Sequence, residues 1–532
     1  MRALARLGEQ AWEDLPRRLN PLDTLMWRCE RDPRLRSGLV LLLLLDRPPE
    51  HMRFAAGHEW ATRMIPRLRE RPVAPLLAPN MPVWEPDPEF DVARHMRRVR
   101  LARPAGRREL LDLAEDLAAT PFAANRPPWE SVLVEGLRWK PEPEKPEPER
   151  YRAAWLVKFH HVLADGPLLA SWLSALLSRS REPRSDKPQP AAPALWLDRL
   201  PDRLLGPLPA EAGPAARRIA LSALRTARTP LRSTAEIGRA ARTLADATTR
   251  SVGKPSPLLR ARGTTRRFEL VPVDLDGLRA AARAADVSVN AALCAGLLTG
   301  IRHYHEAHGV TAPSLPSAMT VPVVRTGPRT GNRFNGVKFA GPLAERGELG
   351  ELGAPSEKDA TALCRTVQAR LDAATPPFPP SALGTVLTCV NQLPTPVLTR
   401  LAVSLGRSYD LQVSHVVAPG RDTYVSGARI EQAYCFGPTP GCAITALMLS
   451  RRGLGALALT VDAAAVPDPQ TLARCIESGF ADLSKSPTKS PLKKTSTSSS
   501  ADRTGSSGGA PWRSPESDRS RRASGRSRAY GS

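Results

Sequence analysis

One stretch, residues 155–166, constrains the fold more than any other part of the chain. Its first half, from Trp155 to His160, is rich in apolar and aromatic residues and predicts a buried strand. Pro167 then opens a segment in which apolar residues recur at helical spacing. The paired histidines, His160 and His161, therefore lie where a strand ends and a helix has not yet begun. A side chain at such a junction can face a cavity while the strand behind it stays rigid.

The pattern His-His-x-x-x-Asp-Gly, formed by His160, His161, Asp165 and Gly166, resembles the motif of acyltransferases related to chloramphenicol acetyltransferase and to peptide-synthetase condensation domains. The resemblance implies that these four residues form the catalytic site and that His161 is the general base. Imidazole suits the task, because an alcohol attacks a thioester poorly until a base removes its proton. Taken singly, the same residues have simpler explanations: Asp165 as a helix N-cap, Gly166 as a turn, and the histidines as partly exposed polar residues.

The composition allows sizeable cores and excludes some classes of protein. The chain has 532 residues, of which 42% are apolar, enough for two domains of ordinary size or more. No apolar run reaches the roughly 18 residues that a membrane span needs, and no signal-peptide core follows the N-terminus. Seven cysteines are scattered without a Cys-x-x-Cys pair, which argues against a zinc site and fits a reducing cytoplasm. We therefore expect a cytoplasmic protein without a structural metal.

The net charge of +23 is placed unevenly. Residues 181–267 hold 18 basic and 7 acidic side chains, and residues 484–532 hold 11 and 3, so the rest of the chain is nearly balanced. A dedicated nucleic-acid-binding module would instead be a folded unit with a basic face, so we expect no nucleic-acid partner. The distribution suits contact with anionic lipid surfaces, or simple solubility.

Further motifs extend the resemblance to the bacterial wax ester synthase/diacylglycerol acyltransferase family, over about residues 18–483. In chain order they are Pro21-Leu22-Asp23, Phe90-Asp91 with His95 and Arg97, Arg126-Pro127-Pro128-Trp129-Glu130, the His-His-x-x-x-Asp-Gly pattern, Met319 to Arg325, Gly331-Asn332, Tyr424 to Ile430, and Tyr434 to Pro438. Their order and spacing carry the specificity. The sequence departs from the family pattern at Pro128, Ala291 and His415.

The resemblance implies an α/β fold with mixed sheets, in which two chloramphenicol acetyltransferase-like half-domains are joined by a helical crossover and enclose an active-site tunnel. We predict an N-terminal half at 1–180, a basic helical crossover at 181–263, a C-terminal half at 264–483, and a disordered basic tail at 484–532. In the crossover, arginines recur every seven residues and would lie along one helical stripe: Arg218, Arg225, Arg232 and Arg239. Such a stripe can lie on an anionic membrane or be the solvated face of a packed helix.

Two further residues are predicted to support the site. Asn290, near the start of a long buried helix, is a good N-cap, although Ala291 replaces the aspartate that follows it in the family. Arg325, at the end of a strand, is the candidate partner of Asp165, with a surface arginine as the alternative.

The resemblance implies an acyl-CoA-dependent O-acyltransferase that esterifies diacylglycerol or a long-chain alcohol. No Gly-x-Ser-x-Gly nucleophile elbow is evident, so we expect no acyl-enzyme. The resemblance implies acyl-CoA as co-substrate, and we expect no further cofactor. Because the implied acceptors are nearly insoluble in water and no spanning helix is evident, we expect peripheral attachment to a membrane or lipid droplet. No Gly-rich phosphate loop stands out, so the CoA-binding residues stay unassigned. Two alternatives remain open: a catalytically degenerate lipid-binding or assembly protein of the same fold, and a condensation-type enzyme that acylates a specialised metabolite.

Overall fold

The structure is a computed structural model. It describes residues 17–75, 81–139, 151–182, 252–322, 334–343, 357–374, 380–418 and 420–484, except for 167, 170, 171, 174–176, 254 and 452. Most of the predicted crossover, with its arginine stripe, nearly all of the predicted tail, and Arg325 lie outside the described residues.

Helices and strands are interspersed along the described parts of the chain. The first group comprises α1 (Pro21–Cys29), β1 (Gly38–Leu45), α2 (His51–Met64), β2 (Glu70–Val73), β3 (Val83–Pro86), β4 (Met96–Arg100), α3 (Arg107–Ala119), β5 (Trp129–Trp139) and β6 (Tyr151–His160). The second group comprises β7 (Arg266–Asp274), α4 (Leu275–Ala285), α5 (Val289–Ala307), β8 (Ser314–Pro322), β9 (Phe334–Pro342), α6 (Glu357–Ala373), α7 (Pro380–Val390), α8 (Thr395–Gly406), β10 (Leu411–Val417), β11 (Tyr424–Val425), β12 (Ala428–Phe436), β13 (Ile444–Arg451), β14 (Leu454–Asp462) and α9 (Pro469–Ser484).

Two six-stranded sheets form the framework, in the orders β11-β12-β1-β6-β5-β4 and β7-β14-β13-β10-β8-β9. Each sheet is mixed, because β4–β5 and β8–β10–β13 pair in parallel while their other neighbours are antiparallel. These sheets confirm the predicted α/β fold with mixed sheets. The pairing crosses the predicted division of the chain, because β11 and β12 lie within residues 264–483 but complete the first sheet beside β1.

Strand β1 explains how the first sheet separates a core from a cavity. Its sequence is almost entirely aliphatic, and β12 and β6 flank it on both sides. Successive side chains of a strand point to opposite faces. Val40, Leu42 and Leu44 therefore face one way into the core, whereas Leu39 and Leu43 line a cavity on the other face. Since both faces are buried, the strand reads as a continuous apolar run rather than as an alternating one.

In the second half, the long helix α5 forms the centre of the core and packs very closely against α9. A Cβ atom on Gly300 would come within 2.3 Å of the Ile476 Cα atom, so only glycine permits this approach. The two halves are joined at β7, an edge strand of the second sheet. There the Glu115 carboxylate of α3 accepts the Phe268 N–H at 2.7 Å. Phe268 in turn stacks on Phe436 with ring centroids 4.0 Å apart.

Across the described residues, a single helix with the length and apolar character of a membrane span does not occur. Helices α4 and α5 meet those criteria only when taken together, and they are bent by 106° relative to each other.

Candidate active site

The alternation along β6 sends the two histidines of the motif in different directions. Trp155, Val157 and Phe159 line cavities on one face of the first sheet. His160 belongs to the opposite face and is fully buried, whereas His161, the next residue, lines the cavity between the sheets. Of the two motif histidines, only His161 is therefore placed to meet a substrate in that cavity.

The hydrogen bonds of His160 establish its tautomer. The Val162 backbone N–H lies 3.1 Å from Nδ1 and can only donate, so Nδ1 carries the lone pair. The proton is then on Nε2, which lies 3.0 Å from the Glu30 Oε2 atom and donates to it. Both nitrogens of His160 are thus engaged behind the cavity wall. His160 is a predicted site residue that holds the loop and does not face the cavity.

The backbone at His161 is tied to the start of β1. The His161 N–H donates to the Ser37 carbonyl at 2.9 Å. Because Ser37 directly precedes β1, this hydrogen bond fixes the turn after β6 against the neighbouring strand. The imidazole of His161 is therefore presented from a rigid junction, as the strand-to-loop position predicted.

Asp165 and Gly166 line the same cavity as His161. The Asp165 Oδ1 atom accepts the Leu168 N–H at 2.8 Å, and its carbonyl accepts the Leu169 N–H at 2.9 Å. The carboxylate thus caps the helical turns that follow, which is the simpler of the two predicted roles. The predicted ion pair with Arg325 lies outside the described residues and stays a prediction.

The cavity that His161 faces lies between the two sheets and has a volume of about 260 Å³. Leu39, Leu41 and Leu43 of β1 form one wall, and β10 and β13 of the second sheet form the other. Its walls are mostly aliphatic, so the polar side chains of the motif face an apolar space. A hydroxyl and a thioester held there would be shielded from water, which strengthens any polar interaction with His161.

Asn290 supports the cavity in a way that differs from the prediction. The N-cap of α5 is Ser288, whose hydroxyl accepts the Ala291 N–H at 3.1 Å, so the predicted N-cap role of Asn290 is wrong. Asn290 lies two residues after this N-cap, and its Oδ1 atom is 2.9 Å from Nδ1 of His415. The second nitrogen of His415 lies 3.0 Å from the Ser450 hydroxyl.

His415 is a cavity residue whose importance the sequence indicated only as a departure from a pattern. It lines the cavity opposite the first sheet, and burial lowers the pKa of its imidazole. With both nitrogens hydrogen-bonded, the ring is held in place. It occupies the position where the family pattern has asparagine, so this wall of the cavity has a bulkier side chain here.

A second cavity, of about 430 Å³, adjoins the first and was not foreseen from the sequence. Four tryptophans from different elements contribute to its walls: Trp60, Trp129, Trp155 and Trp172. Among the described residues, five side chains line both cavities and form the boundary between them: Phe159, Ala164, Leu169, Leu173 and Leu177. Single aromatic residues scattered along the chain show no local period, so only the fold brings them together.

Polar groups in the second cavity are hydrogen-bonded to one another. His58 Nδ1 donates to the Phe54 carbonyl at 2.8 Å, which leaves Nε2 as the acceptor of the Ser131 hydroxyl at 2.9 Å. The Trp155 indole N–H donates to the same hydroxyl at 2.8 Å. Burial lowers the pKa of His58 to about 4, so the imidazole is neutral near pH 7. Apart from Arg53, the cavity thus offers an uncharged, mostly apolar surface.

Within the described part of the chain, no cluster of three or more histidine, cysteine or carboxylate side chains is placed to hold a metal ion. The described cysteines are free thiols, and those for which a pKa shift is resolved have it raised by burial: Cys29, Cys294, Cys364, Cys435, Cys442 and Cys475. A raised pKa keeps a thiol protonated and therefore a poor nucleophile. Among the described residues, His161 and its motif remain the group best placed for chemistry.

Comparison with known proteins gives consistent results. Residues 19–293 match the wax ester synthase/diacylglycerol acyltransferase catalytic domain, and residues 349–484 match the C-terminal domain of the same family. A putative diacylglycerol O-acyltransferase of Mycobacterium tuberculosis is 35% identical over 473 residues, covering 87% of this chain and 91% of that protein.

Solved structures share the fold. A wax ester synthase/diacylglycerol acyltransferase from Marinobacter aquaeolei VT8 superimposes with a TM-score of 0.57 at 18% identity, covering 88% of this chain and 98% of that one. The first condensation domain of a calcium-dependent antibiotic synthetase superimposes with a TM-score of 0.50 at 16% identity, covering 88% and 96%. From the matched domains and the close relative, the chain belongs to the wax ester synthase/diacylglycerol acyltransferase family and is an acyltransferase.

Proposed function

We propose that this acyltransferase transfers the acyl group of acyl-CoA to the hydroxyl of a diacylglycerol or a long-chain alcohol, with His161 as the general base. The observation that carries the proposal is the placement of His161 on a rigid turn, facing an apolar cavity between the sheets. A neutral imidazole there can accept a hydroxyl proton, whereas His160 has both nitrogens engaged elsewhere.

The chemistry can be written with the residues of this chain. As His161 takes the hydroxyl proton, the alcohol oxygen attacks the thioester carbonyl carbon and forms a tetrahedral intermediate. The C–S bond then breaks, the ester is released, and the proton passes from His161 to the CoA sulfur. The reaction is balanced without an acyl-enzyme, because the thiolate is a good leaving group and the base is regenerated.

The second cavity supports a lipid substrate. It is larger than the first, it shares five side chains with it, and its internal hydrogen bonds leave a mostly apolar surface. Burying an aliphatic chain against such a surface contributes about 0.8 kcal/mol per CH₂ group. We assign this cavity to an aliphatic chain of one substrate whose reacting carbonyl or hydroxyl lies beside His161.

Peripheral attachment to a bilayer or lipid droplet is part of the same proposal. Substrates with long chains are nearly insoluble in water, so the enzyme has to collect them from a lipid surface. The basic side chains of residues 181–267 and 484–532 would supply electrostatic attraction to anionic lipids. Acyl-CoA would be the co-substrate, without a bound cofactor.

The proposal is tested by incubating the purified protein with labelled acyl-CoA and a panel of acceptors, followed by mass spectrometry of the lipids. Triacylglycerol or wax ester formation, lost in the His161→Ala variant, is the expected result. Binding of lipids without product would identify a degenerate lipid-binding protein. Acylation of an amine or a carrier-bound acceptor instead would identify a condensation-type enzyme.

A further inference from the structure

We propose that Glu30 is a positioning residue for His161. A single carboxylate oxygen, Oε2, accepts the Ser37 N–H at 2.8 Å and the His160 Nε2–H at 3.0 Å. Ser37 and His160 in turn hold the main chain of the catalytic turn, because the Ser37 carbonyl accepts the His161 N–H and His160 Nδ1 accepts the Val162 N–H. The inference rests on the proposed role of His161 as the base.

The two arms of this arrangement reach the catalytic turn from different strands. Ser37 leads into β1, and His160 is the last residue of β6, opposite Gly38 in the register of the two strands. One oxygen of Glu30 therefore joins the start of one strand to the end of its neighbour, just where His161 leaves the sheet. Displacing that oxygen would loosen both hydrogen bonds at once.

Helix α1 delivers Glu30 to this position. Glu30 is the C-cap residue of the helix, and Trp27, one turn earlier, contacts the His160 ring edge-on at 5.2 Å between centroids. The helix is fixed from its other side by Arg28, which donates to the Leu393 carbonyl at 2.8 Å and to the Thr395 hydroxyl at 3.0 Å in the second half. The Pro-Leu-Asp motif that begins α1 thereby acquires a role, since it starts the helix that carries Glu30.

Two substitutions test the length of the Glu30 side chain and its charge separately. Glu30→Gln keeps the length of the side chain and an oxygen that accepts both hydrogen bonds, but removes the charge. Glu30→Asp keeps the charge and shortens the side chain by one methylene, so the oxygen no longer reaches both donors. If Glu30 acts by positioning, Glu30→Asp lowers kcat by about 10²-fold with KM changed only a few-fold, because a misplacement of about 1 Å costs that much. Glu30→Gln keeps most of the wild-type kcat.

A readout that is independent of turnover accompanies the kinetics. Hydrogen exchange of the Ser37, His161 and Val162 amides should become faster in Glu30→Asp and stay near the wild-type rate in Glu30→Gln. The matched control is Glu109→Asp, which makes the same change in a carboxylate that holds a backbone N–H, that of Gly106 at 2.8 Å, away from both cavities. It should leave kcat and the three amides unchanged.

Several results would overturn the inference. In an active enzyme, wild-type kcat and unchanged exchange in Glu30→Asp would show that the carboxylate does not position His161. A loss of kcat in Glu30→Gln that Glu30→Asp does not show would mean that the charge of Glu30 matters rather than its reach. The proposed function fails separately, when the wild-type protein forms no ester or when His161→Ala retains activity, and the exchange rates still decide whether Glu30 holds the turn.

Discussion

Gly166 lies directly against Val416, so that a Cβ atom on residue 166 would come within 3.2 Å of Val416 Cγ2. Gly166 ends the His-His-x-x-x-Asp-Gly motif in the first half, and Val416 belongs to β10 in the second sheet. The glycine of the motif therefore permits the close approach of the two halves beside His161. The backbone of Gly166 lies outside the left-handed region, so its φ and ψ angles do not require glycine. Glycine suits the position because a side chain would crowd Val416.

The general-base assignment predicts a large kinetic effect. We expect His161→Ala to lower the acyl-transfer rate by roughly 10²–10⁴-fold, as for other lost general bases, with the fold intact. Steady-state kinetics with labelled acyl-CoA measure the rate, and circular dichroism measures the fold. His51→Ala, which removes an exposed histidine at the start of α2, is the control and should keep the wild-type rate. Turnover within a few-fold of wild type in His161→Ala would exclude this residue as the base.

The second cavity predicts a change in chain-length preference. Gly57 lines that cavity, and a Cβ atom there would meet only the Ser426 hydroxyl, at an ordinary contact distance of 3.9 Å. We expect Gly57→Leu to fill part of the cavity and to shift the preference toward shorter chains, in assays with a series of acyl-CoAs and alcohols. Gly57→Ala is the matched control and should leave the preference unchanged. An unaltered preference in Gly57→Leu would mean that neither aliphatic chain occupies the cavity.

Asp165 has one observed role and one predicted role, and a single substitution separates them. Asparagine is also a good N-cap, so Asp165→Asn should preserve the hydrogen bond from Leu168. If Arg325 is the buried ionic partner, the substitution leaves its charge uncompensated at a cost of about 3–5 kcal/mol. We therefore expect a clearly lower Tm with little change in acyl-CoA affinity. An unchanged Tm with greatly weakened acyl-CoA binding would instead place Asp165 in contact with substrate.

Stability should depend on pH through His58. Its pKa is about 4 in the folded protein and 6.5 ordinarily. Between these values the unfolded chain binds more protons, so the free energy of unfolding falls as pH falls from 6.5 to 4, by at most about 1.4 kcal/mol per pH unit. Urea denaturation at several pH values should show a shallower fall in His58→Gln than in wild type. The exposed His51→Gln should keep the wild-type slope, and equal slopes in all three proteins would contradict the prediction.

The membrane proposal predicts salt-sensitive binding to anionic liposomes. Each arginine near an anionic surface is worth about 1 kcal/mol. Replacing the stripe of Arg218, Arg225, Arg232 and Arg239 with glutamine should therefore weaken binding strongly, and deleting residues 484–532 only partly. Flotation of the three proteins with liposomes, at low and high salt, provides the measurement. A stripe variant that floats like wild type would mean that these arginines form a solvated face of a helix packed on the protein.

The sequence alone was sufficient to place the histidine motif at a strand-to-helix junction, and the resemblance that its motifs carry was sufficient for the fold class. Strand-like composition up to His160 and helical spacing after Gly166 are local properties, so they could be recognised without the structure. Strand alternation also predicts that His160 and His161 point to opposite faces of the first sheet, but it does not show which face borders the cavity. That choice depends on how β1 and β12 pair beside β6, which no local pattern records.

The sequence by itself determined that a histidine motif lies between a strand and a helix in an acyltransferase-like chain, because those signals are periodic or closely spaced. Only the tertiary structure decided what surrounds it. Glu30 reaches His160 across 130 positions of the chain, and His415 reaches Asn290 across 125. Such contacts arise because elements far apart in the chain pack together within each half, and each residue alone looks like any other polar side chain. The long-range arrangement therefore shows which groups hold the turn that carries His161 and shape its cavity.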